Sequence, residues 1–278
     1  MTNPMHIGLV VENRYLVQSQ PSGMSRALQA QGHRVTAVDP QAVSFLMKDE
    51  GWLQDFDLVV ARGRSWGLLC LLAWAEARAA LTINRKGAIA AVYNKADMSV
   101  ELAAGGVPVP RTFFGSLEAL AKQIPADCYP VILKPIFGDN CRGLVVVASP
   151  EEMAGVEWNE PVALAQSYLA TDGYDLKLYG IGDQVWAVRK PSPFNKRSGD
   201  DGAEAKAGLL PLTPQLEELG RRCGSIFGLE LYGVDCIETD GGPLVIEIND
   251  FPNYTGVPEA DERLADYVVR RAEQKRSS

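Results

Sequence analysis

The chain has 278 residues, 46% of them hydrophobic and 22% charged, with a formal net charge of −8. That length accommodates two or three lobes with separate cores, and the acidic balance argues against nucleic acid as a partner. No apolar run reaches the roughly 18–20 residues a spanning helix needs, and Met1 to His6 lacks a basic-then-apolar leader, so the expectation is a cytoplasmic protein with no membrane partner.

His6 to Val11 is a short apolar run suited to a buried parallel strand. A helix over Ser22 to Gln31, stopped by Gly32, leads to strand Arg34 to Val38, the apolar run Asp57 to Ala61, helix Trp66 to Arg78 and strand Leu81 to Asn84. This alternation reads as a parallel α/β lobe over 1–93. It contains neither G-x-G-x-x-G nor G-x-x-x-x-G-K-[ST], so dinucleotide-type and P-loop phosphate binding have no motif here. A helix over Asn94 to Ala104 ends at Gly105-Gly106, and Pro108 and Pro110 follow. Strands Arg111 to Phe114, Pro130 to Lys134, Gly143 to Ala148 and Val162 to Tyr168, with helices from Ser116 and Ser149, then make an α+β lobe over 94–170.

From Tyr174 the pattern becomes antiparallel. Strands Asp175 to Ile181 and Gln184 to Lys190 turn at Gly182-Asp183, and Tyr232 to Thr239 and Leu244 to Ile248 turn at Asp240-Gly241-Gly242. Between these pairs lie the irregular polar stretch Pro191 to Gly208, which has the character of a binding loop, and helix Thr213 to Phe227. A last helix, Glu259 to Glu273, closes a lobe over 171–278.

The strongest chemical signal is in the second hairpin. Asp235 interrupts an apolar strand, while Glu247 and Asn249, two apart, leave one face of the next. Two carboxylates and an amide oxygen gathered on one sheet face repel unless a cation sits between them, and hard oxygen donors suit Mg²⁺, or Mn²⁺, completed by phosphates and water. Only His6 and His33 are available, so a histidine-rich zinc site is ruled out, and the five cysteines share no metal spacing. Lys95 opens a helix and Lys134 ends an apolar strand; both are placed to meet phosphate. The loop Gly138 to Gly143, with Arg142, offers backbone amides of the kind that close over phosphates. Gln166-Ser167-Tyr168-Leu169 leaves a strand where it can meet an adenine edge, and Asp175 and Lys177 share one face of the strand that follows.

In this order and spacing, Lys95, Lys134 with its loop, the Gln166 to Leu169 hinge, and Asp235 with Glu247-Ile248-Asn249 resemble the ATP-grasp superfamily over about 94 to 258. The resemblance implies a nucleotide held between two α+β lobes behind an N-terminal parallel α/β lobe. It places Lys95, Lys134, Gly138, Arg142, Gln166, Tyr168, Leu169, Asp175 and Lys177 near ATP, and Asp235, Glu247 and Asn249 on metal. It makes Arg189 the stabiliser of the transferred phosphoryl group.

Asn84, the run Asp57 to Arg62, Gly106 to Thr112 and Leu133-Lys134-Pro135 resemble RimK-like and LysX-like carboxylate–amine ligases, which implies an acyl phosphate that an amine acceptor displaces. Lys177 to Gly182, Val188 to Ser192, Leu231 to Asp235 and Ile248 to Pro258 are similar to inositol polyphosphate kinases of the same fold. The ligase reading is preferred to the kinase reading, and a nucleotide-binding protein without turnover is a third. Arg62, Arg64, Lys190 and Arg197 are the expected contacts to a small anionic substrate.

Overall fold

The computed structural model describes residues 3–53, 55–138, 142–192 and 207–276. The first lobe is a four-stranded parallel sheet in the order β2-β1-β3-β4. Its strands are β1 (His6–Val11), β2 (Arg34–Val38), β3 (Leu58–Arg62) and β4 (Thr82–Ile83). β1 and β3 are apolar on both faces because both faces are covered. Ile7, Leu9, Leu58 and Val60 join one core, and Val10, Val59 and Ala61 join another with α2 (Trp66–Ala77). The first of these cores is closed by α1 (Ser19–Ala30) and, unexpectedly, by the C-terminal helix: Leu264, Ala265 and Val268 pack with Ile7 and Leu9. Sequence order grouped that helix with the last lobe. Its apolar stripe packs into a core that the first sheet shares with Tyr179, Ile181, Val188 and Leu231 from later in the chain, so the helix touches both.

Two helices join the lobes, α3 (Lys86–Tyr93) and α4 (Lys95–Ala104). α3 was not expected from the sequence, because Ala, Gly and Val between two apolar runs carry little periodic signal. Asn94 divides the pair, its side-chain oxygen accepting the amides of Ala96 and Asp97 as an N-cap.

The second lobe is an antiparallel sheet ordered β5-β8-β6-β7, formed by β5 (Thr112–Gly115), β6 (Val131–Lys134), β7 (Val145–Val147) and β8 (Ala163–Ser167). Val131, Leu133, Ala163 and Ala165 pack beneath α5 (Leu117–Gln123) and α6 (Pro150–Ala154). Strand alternation puts Ile132, Lys134, Leu164 and Gln166 on the opposite face.

The third sheet is five-stranded and antiparallel, β11-β10-β9-β12-β13. Its strands are β9 (Tyr174–Ile181), β10 (Gln184–Pro191), β11 (Gly208–Leu210), β12 (Leu231–Thr239) and β13 (Gly242–Asp250). Leu176, Leu178, Val234, Cys236 and Val245 lie under α7 (Pro214–Phe227), and α8 (Ala260–Arg276) follows β13 back to the first lobe. No helix among the described residues is long and apolar enough to cross a membrane.

Candidate active site

Five residues of the third sheet stand in two adjacent rows. Lys177, Asp235 and Glu247 are cross-strand neighbours on β9, β12 and β13, and Gly233 and Asn249 are partners in the next row. A β-bulge makes this row possible. The β12–β13 register shifts between Asp235 and Cys236, so that Asp235 opposes Glu247 while Cys236 opposes Val245. In a regular strand Val245 and Glu247 would share a face. The extra residue reverses the alternation, which leaves Val245 in the core beneath α7 and turns Glu247 to the opposite side.

Each carboxylate carries a lysine. Lys177 Nζ lies 2.7 Å from Asp235 Oδ2, and Lys95 Nζ, brought by the N-terminus of α4, lies 2.5 Å from Glu247 Oε1. Asn249 Nδ2 donates to Asp235 Oδ2 at 3.4 Å. Burial alone would suppress the Lys177 ammonium, but Asp235 outweighs it and holds the lysine above its ordinary range. Burial likewise opposes ionisation of Glu247, and Lys95, Lys134 and Arg64 overcome it, keeping this carboxylate charged. Among the described residues no three His, Cys, Asp or Glu side chains converge as a complete metal cage. Two carboxylates and one amide oxygen are a donor set suited to a hard divalent cation that takes its remaining ligands from phosphate and water.

The first lobe faces this row with two arginines. Arg62 ends β3, and Arg64 follows Gly63 at the carboxyl edge of the parallel sheet, where crevices open in such sheets. Arg64 Nε donates to Asp250 Oδ1 at 2.6 Å and Nη2 to Asn249 Oδ1 at 3.0 Å, so it spans the interface to β13. A cavity of about 260 Å³ is lined by Arg62, Arg64, Lys177, Lys190, Asp235, Glu247, Asn249 and residues beside them. It therefore gathers the acidic trio, Lys177 and three of the four expected substrate contacts. Arg197, the fourth, lies outside the described residues, as does the centre of the phosphate-loop segment, 139–141.

The other residues expected to meet the nucleotide, Asp175 on β9 apart, belong to the second lobe. Lys134 and Gln166 share the face of its sheet opposite α5 and α6, with Lys134 Nζ 2.6 Å from Gln166 Oε1, and Gln166 Nε2 donates to Thr112 Oγ1 at 3.1 Å. Gly138 and Arg142 line a second cavity with Arg14, Pro135, Phe137, Gly143 and Glu160. Tyr168 donates its amide to Pro130 O at 2.9 Å, and Leu169 follows where the chain leaves β8. Asp175 is buried opposite Lys190, and desolvation raises its carboxyl pKa.

Arg189 does not join this group. It pairs with Leu176 in the β9–β10 ladder, on the face opposite Lys177 and Lys190. Its guanidinium reaches Asp172 and lies 4.5 Å from the Tyr174 ring centroid. The period of two along a strand is the physical reason: of two adjacent cations, one must face away.

Four residues that the sequence did not single out as site residues belong here: Tyr15, Gln18 and Asn253, which line the cavity, and Glu12 behind it. Glu12 follows β1 and is buried. Its Oε1 accepts the amides of Arg64 and, at 2.8 Å, Ser65, while Oε2 accepts Arg14 Nε at 2.9 Å. A carboxylate accepting successive amides fixes the turn that aims Arg64. A charged residue directly after an apolar parallel strand was the signal available for it. Glu12→Ala leaves two backbone donors without their acceptor and is expected to cost about 2–4 kcal/mol. Chemical denaturation measures it; an unchanged midpoint would show that water replaces the carboxylate.

A model described as the RimK-like ATP-grasp domain matches residues 93–267. The chain belongs to the RimK-like ATP-grasp family. That agrees with the ligase branch expected from the sequence. A protein named probable alpha-L-glutamate ligase 1, from Shewanella frigidimarina (strain NCIMB 400), is 28% identical over 286 residues, covering 92% of this chain and 91% of its own. Two solved structures share the fold. A RimK domain ATP-grasp protein from Sphaerobacter thermophilus superposes with a TM-score of 0.72 at 19% identity, covering 95% of this chain and 99% of that one. The ATP-grasp ligase PsnB, in complex with a minimal precursor, Mg and ADP, gives 0.74 at 19% identity, covering 98% and 99%.

Proposed function

We propose that this RimK-like chain is an ADP-forming ligase that joins a carboxylate to an amine through an acyl phosphate. The observation that carries the reading is one cavity in which the trio Asp235, Glu247 and Asn249 faces the buried arginines Arg62 and Arg64 and the half-buried lysines Lys177 and Lys190. A site that moves phosphoryl to a carboxylate must hold several anions together, and those cations lower their repulsion. In the first step a carboxylate oxygen attacks the γ-phosphorus and the bond to ADP breaks. In the second, the amine nitrogen attacks the acyl carbon, orthophosphate leaves with the electron pair of the C–O bond, and the amine gives up a proton.

Asp235, Glu247 and the Asn249 side-chain oxygen would hold Mg²⁺, or Mn²⁺ in its place, which supplies charge neutralisation on the phosphates. Lys95 and Lys134 are assigned to the phosphates. Gly138 and Arg142 are assigned to the loop above them, and Gln166, Tyr168, Leu169, Asp175 and Lys177 to the rest of the nucleotide. The two lobes 94–170 and 171–278 would enclose ATP. Lys190, on the cavity face of β10, is assigned the charge-stabilising role that the resemblance gave to Arg189. The ligase named for glutamate and the PsnB precursor complex support an amino acid or peptide as substrate.

Phosphorus NMR of the protein with Mg-ATP and a pool of amino acids and peptides tests the reading. ADP with orthophosphate, dependent on the pool, is expected. ADP with a new phosphate ester and no orthophosphate, on an inositol phosphate pool, would instead establish kinase chemistry. Lys134→Ala is expected to weaken ATP binding by about 10- to 100-fold, the worth of a charge-assisted contact. Calorimetric titration with ATP reads it directly, and an unchanged affinity removes Lys134 from the nucleotide site.

A further inference from the structure

α2 is apolar around its whole circumference, with no charged residue from Trp66 to Ala75. Such a helix is ordinarily covered on every side. Here the chain covers only part of it. Leu68, Leu69, Leu71, Leu72 and Ala75 are buried in the core beneath the first sheet. Glu76, the first charge, turns aside to the Thr82 hydroxyl and the Lys86 amide. Trp66, Cys70, Ala73 and Ala77, spaced four, three and four apart, form an exposed stripe along the helix. The segment 40–50 runs beside α2 from end to end. A Cβ on Gly67 would lie 3.4 Å from Pro40 Cβ, and Arg78 Nη2 is 2.6 Å from Glu50 Oε1. Phe45 turns inward to Trp52, which meets Trp74 of α2, the ring centroids being 5.9 and 5.7 Å apart. Val43, Leu46 and Met47 stay outside, 55, 70 and 65% exposed, and Trp66 is 81% exposed.

We propose that this face is the two-fold interface of a homodimer, with α2 packed antiparallel on α2 of a second copy. Its area favours that. Trp66, Val43, Leu46 and Met47, with the small residues between them, offer about 500 Å² of apolar surface, the size of a functional patch and more than scattered exposure gives. Stable interfaces are about 60% apolar and bury about 800 Å² on each partner, so a patch of this size matches one such contact. Its shape points to a second copy of this chain. The stripe has a large residue, Trp66, at its start and small ones, Ala73 and Ala77, at its end. A two-fold axis through its middle lays each Trp66 on the small-residue end of the other copy, so that projection meets hollow twice. The small residues let the two helix axes approach to about 8–10 Å. With no charge between Trp66 and Ala75, expelling water from the stripe strands no ion.

Size-exclusion chromatography with light scattering on the full chain tests it. Twice the chain mass is expected at about 10 µM, a concentration at which standard-size interfaces hold. Among the described cysteines Cys70 is exposed, while Cys128, Cys223 and Cys236 are buried. In the antiparallel pairing the two Cys70 thiols lie close to the axis, so bis-maleimidoethane should link the copies in C141S protein and fail to link them in C141S/C70S. W66E sets a carboxylate into the contact and should weaken association by at least about 30-fold, the loss at an interface hot spot. W66F should remain dimeric. Trp66 is exposed, so both variants should keep the circular dichroism and melting temperature of an equally dilute wild-type monomer. A wild-type chain that is monomeric at about 100 µM, far above the Kd of an interface of this size, overturns the proposal. So does a dimer that survives W66E or is not linked through Cys70. A monomer whose Cys70 is shielded from maleimide by an added peptide pool also overturns it and gives the face to a polypeptide partner. None of these outcomes bears on the ligase reading, which phosphorus NMR decides separately.

Discussion

Glu247→Ala is expected to lower kcat by about 10³-fold or more at every Mg²⁺ concentration, the scale of losing a main electrostatic stabiliser in a dry site. The expectation follows from position. Glu247 is directed at the cavity only because the β-bulge interrupts β13, and it stands in one row with Asp235 and Lys177. Its removal also strips Lys95 of the carboxylate 2.5 Å away, leaving a buried ammonium at the proposed nucleotide site. Two changes therefore act together, one on the cation and one on the lysine. Glu247→Gln separates them, since it keeps the side-chain volume and a neutral partner for Lys95. Steady-state ADP formation over a Mg²⁺ titration, with circular dichroism as the check on folding, gives the answer. Recovery of full activity at high Mg²⁺ would mean that Glu247 contributes affinity alone, and wild-type activity at any concentration would move the metal site elsewhere.

Asn84→Ala carries the largest expected effect on stability. Asn84 is fully buried at the end of β4, and its side chain satisfies three backbone groups at the start of β12. Its Nδ2 donates to Leu231 O at 2.7 Å, and its Oδ1 accepts the amides of Glu230 and Leu231 at 2.8 and 2.9 Å. Truncation leaves all three without partners in a place closed to water, a loss of about 3–5 kcal/mol. For a chain of this size the melting temperature should fall by roughly 6–15 °C. Asn84→Asp is expected to be no better, because it sets a carboxylate oxygen against the Leu231 carbonyl. Differential scanning calorimetry of both variants measures this, and a shift of only a degree or two would show that water enters the lobe interface.

The two residues also show how far the chain could be read before it folded. Asp235, Glu247 and Asn249 were legible because charged or amide side chains break apolar strands at fixed spacing, and a short glycine turn forces the strands together. The bulge was not legible. Nothing in Val245-Ile246-Glu247 says that an extra residue reverses the alternation, since that depends on how β13 pairs with β12. Lys190 and Arg189 were equally basic and adjacent in sequence, and only the β9–β10 ladder decided which faces the cavity. Glu12 was passed over for a related reason. A single acid after a strand is common, and its meaning comes from the backbone amides of Arg64 and Ser65, more than fifty residues away.

By itself the sequence determined the local elements and the order of the chemistry. Strand and helix alternation set a parallel first lobe, antiparallel pairing set the later ones, and lysines, a glycine-bounded loop and the acidic pair appeared in the family's order. These are properties of side-chain period and short turns, which act over a few residues. The tertiary structure alone decided the long-range matters. It set α8 in a core shared by the first and third sheets, placed Arg64 against Asp250 and Asn249, and left Arg62 buried among aromatic rings and neutral amides. Charge compensation between residues nearly two hundred positions apart has no local signature, because a counter-ion is chosen by packing and not by neighbourhood in the chain.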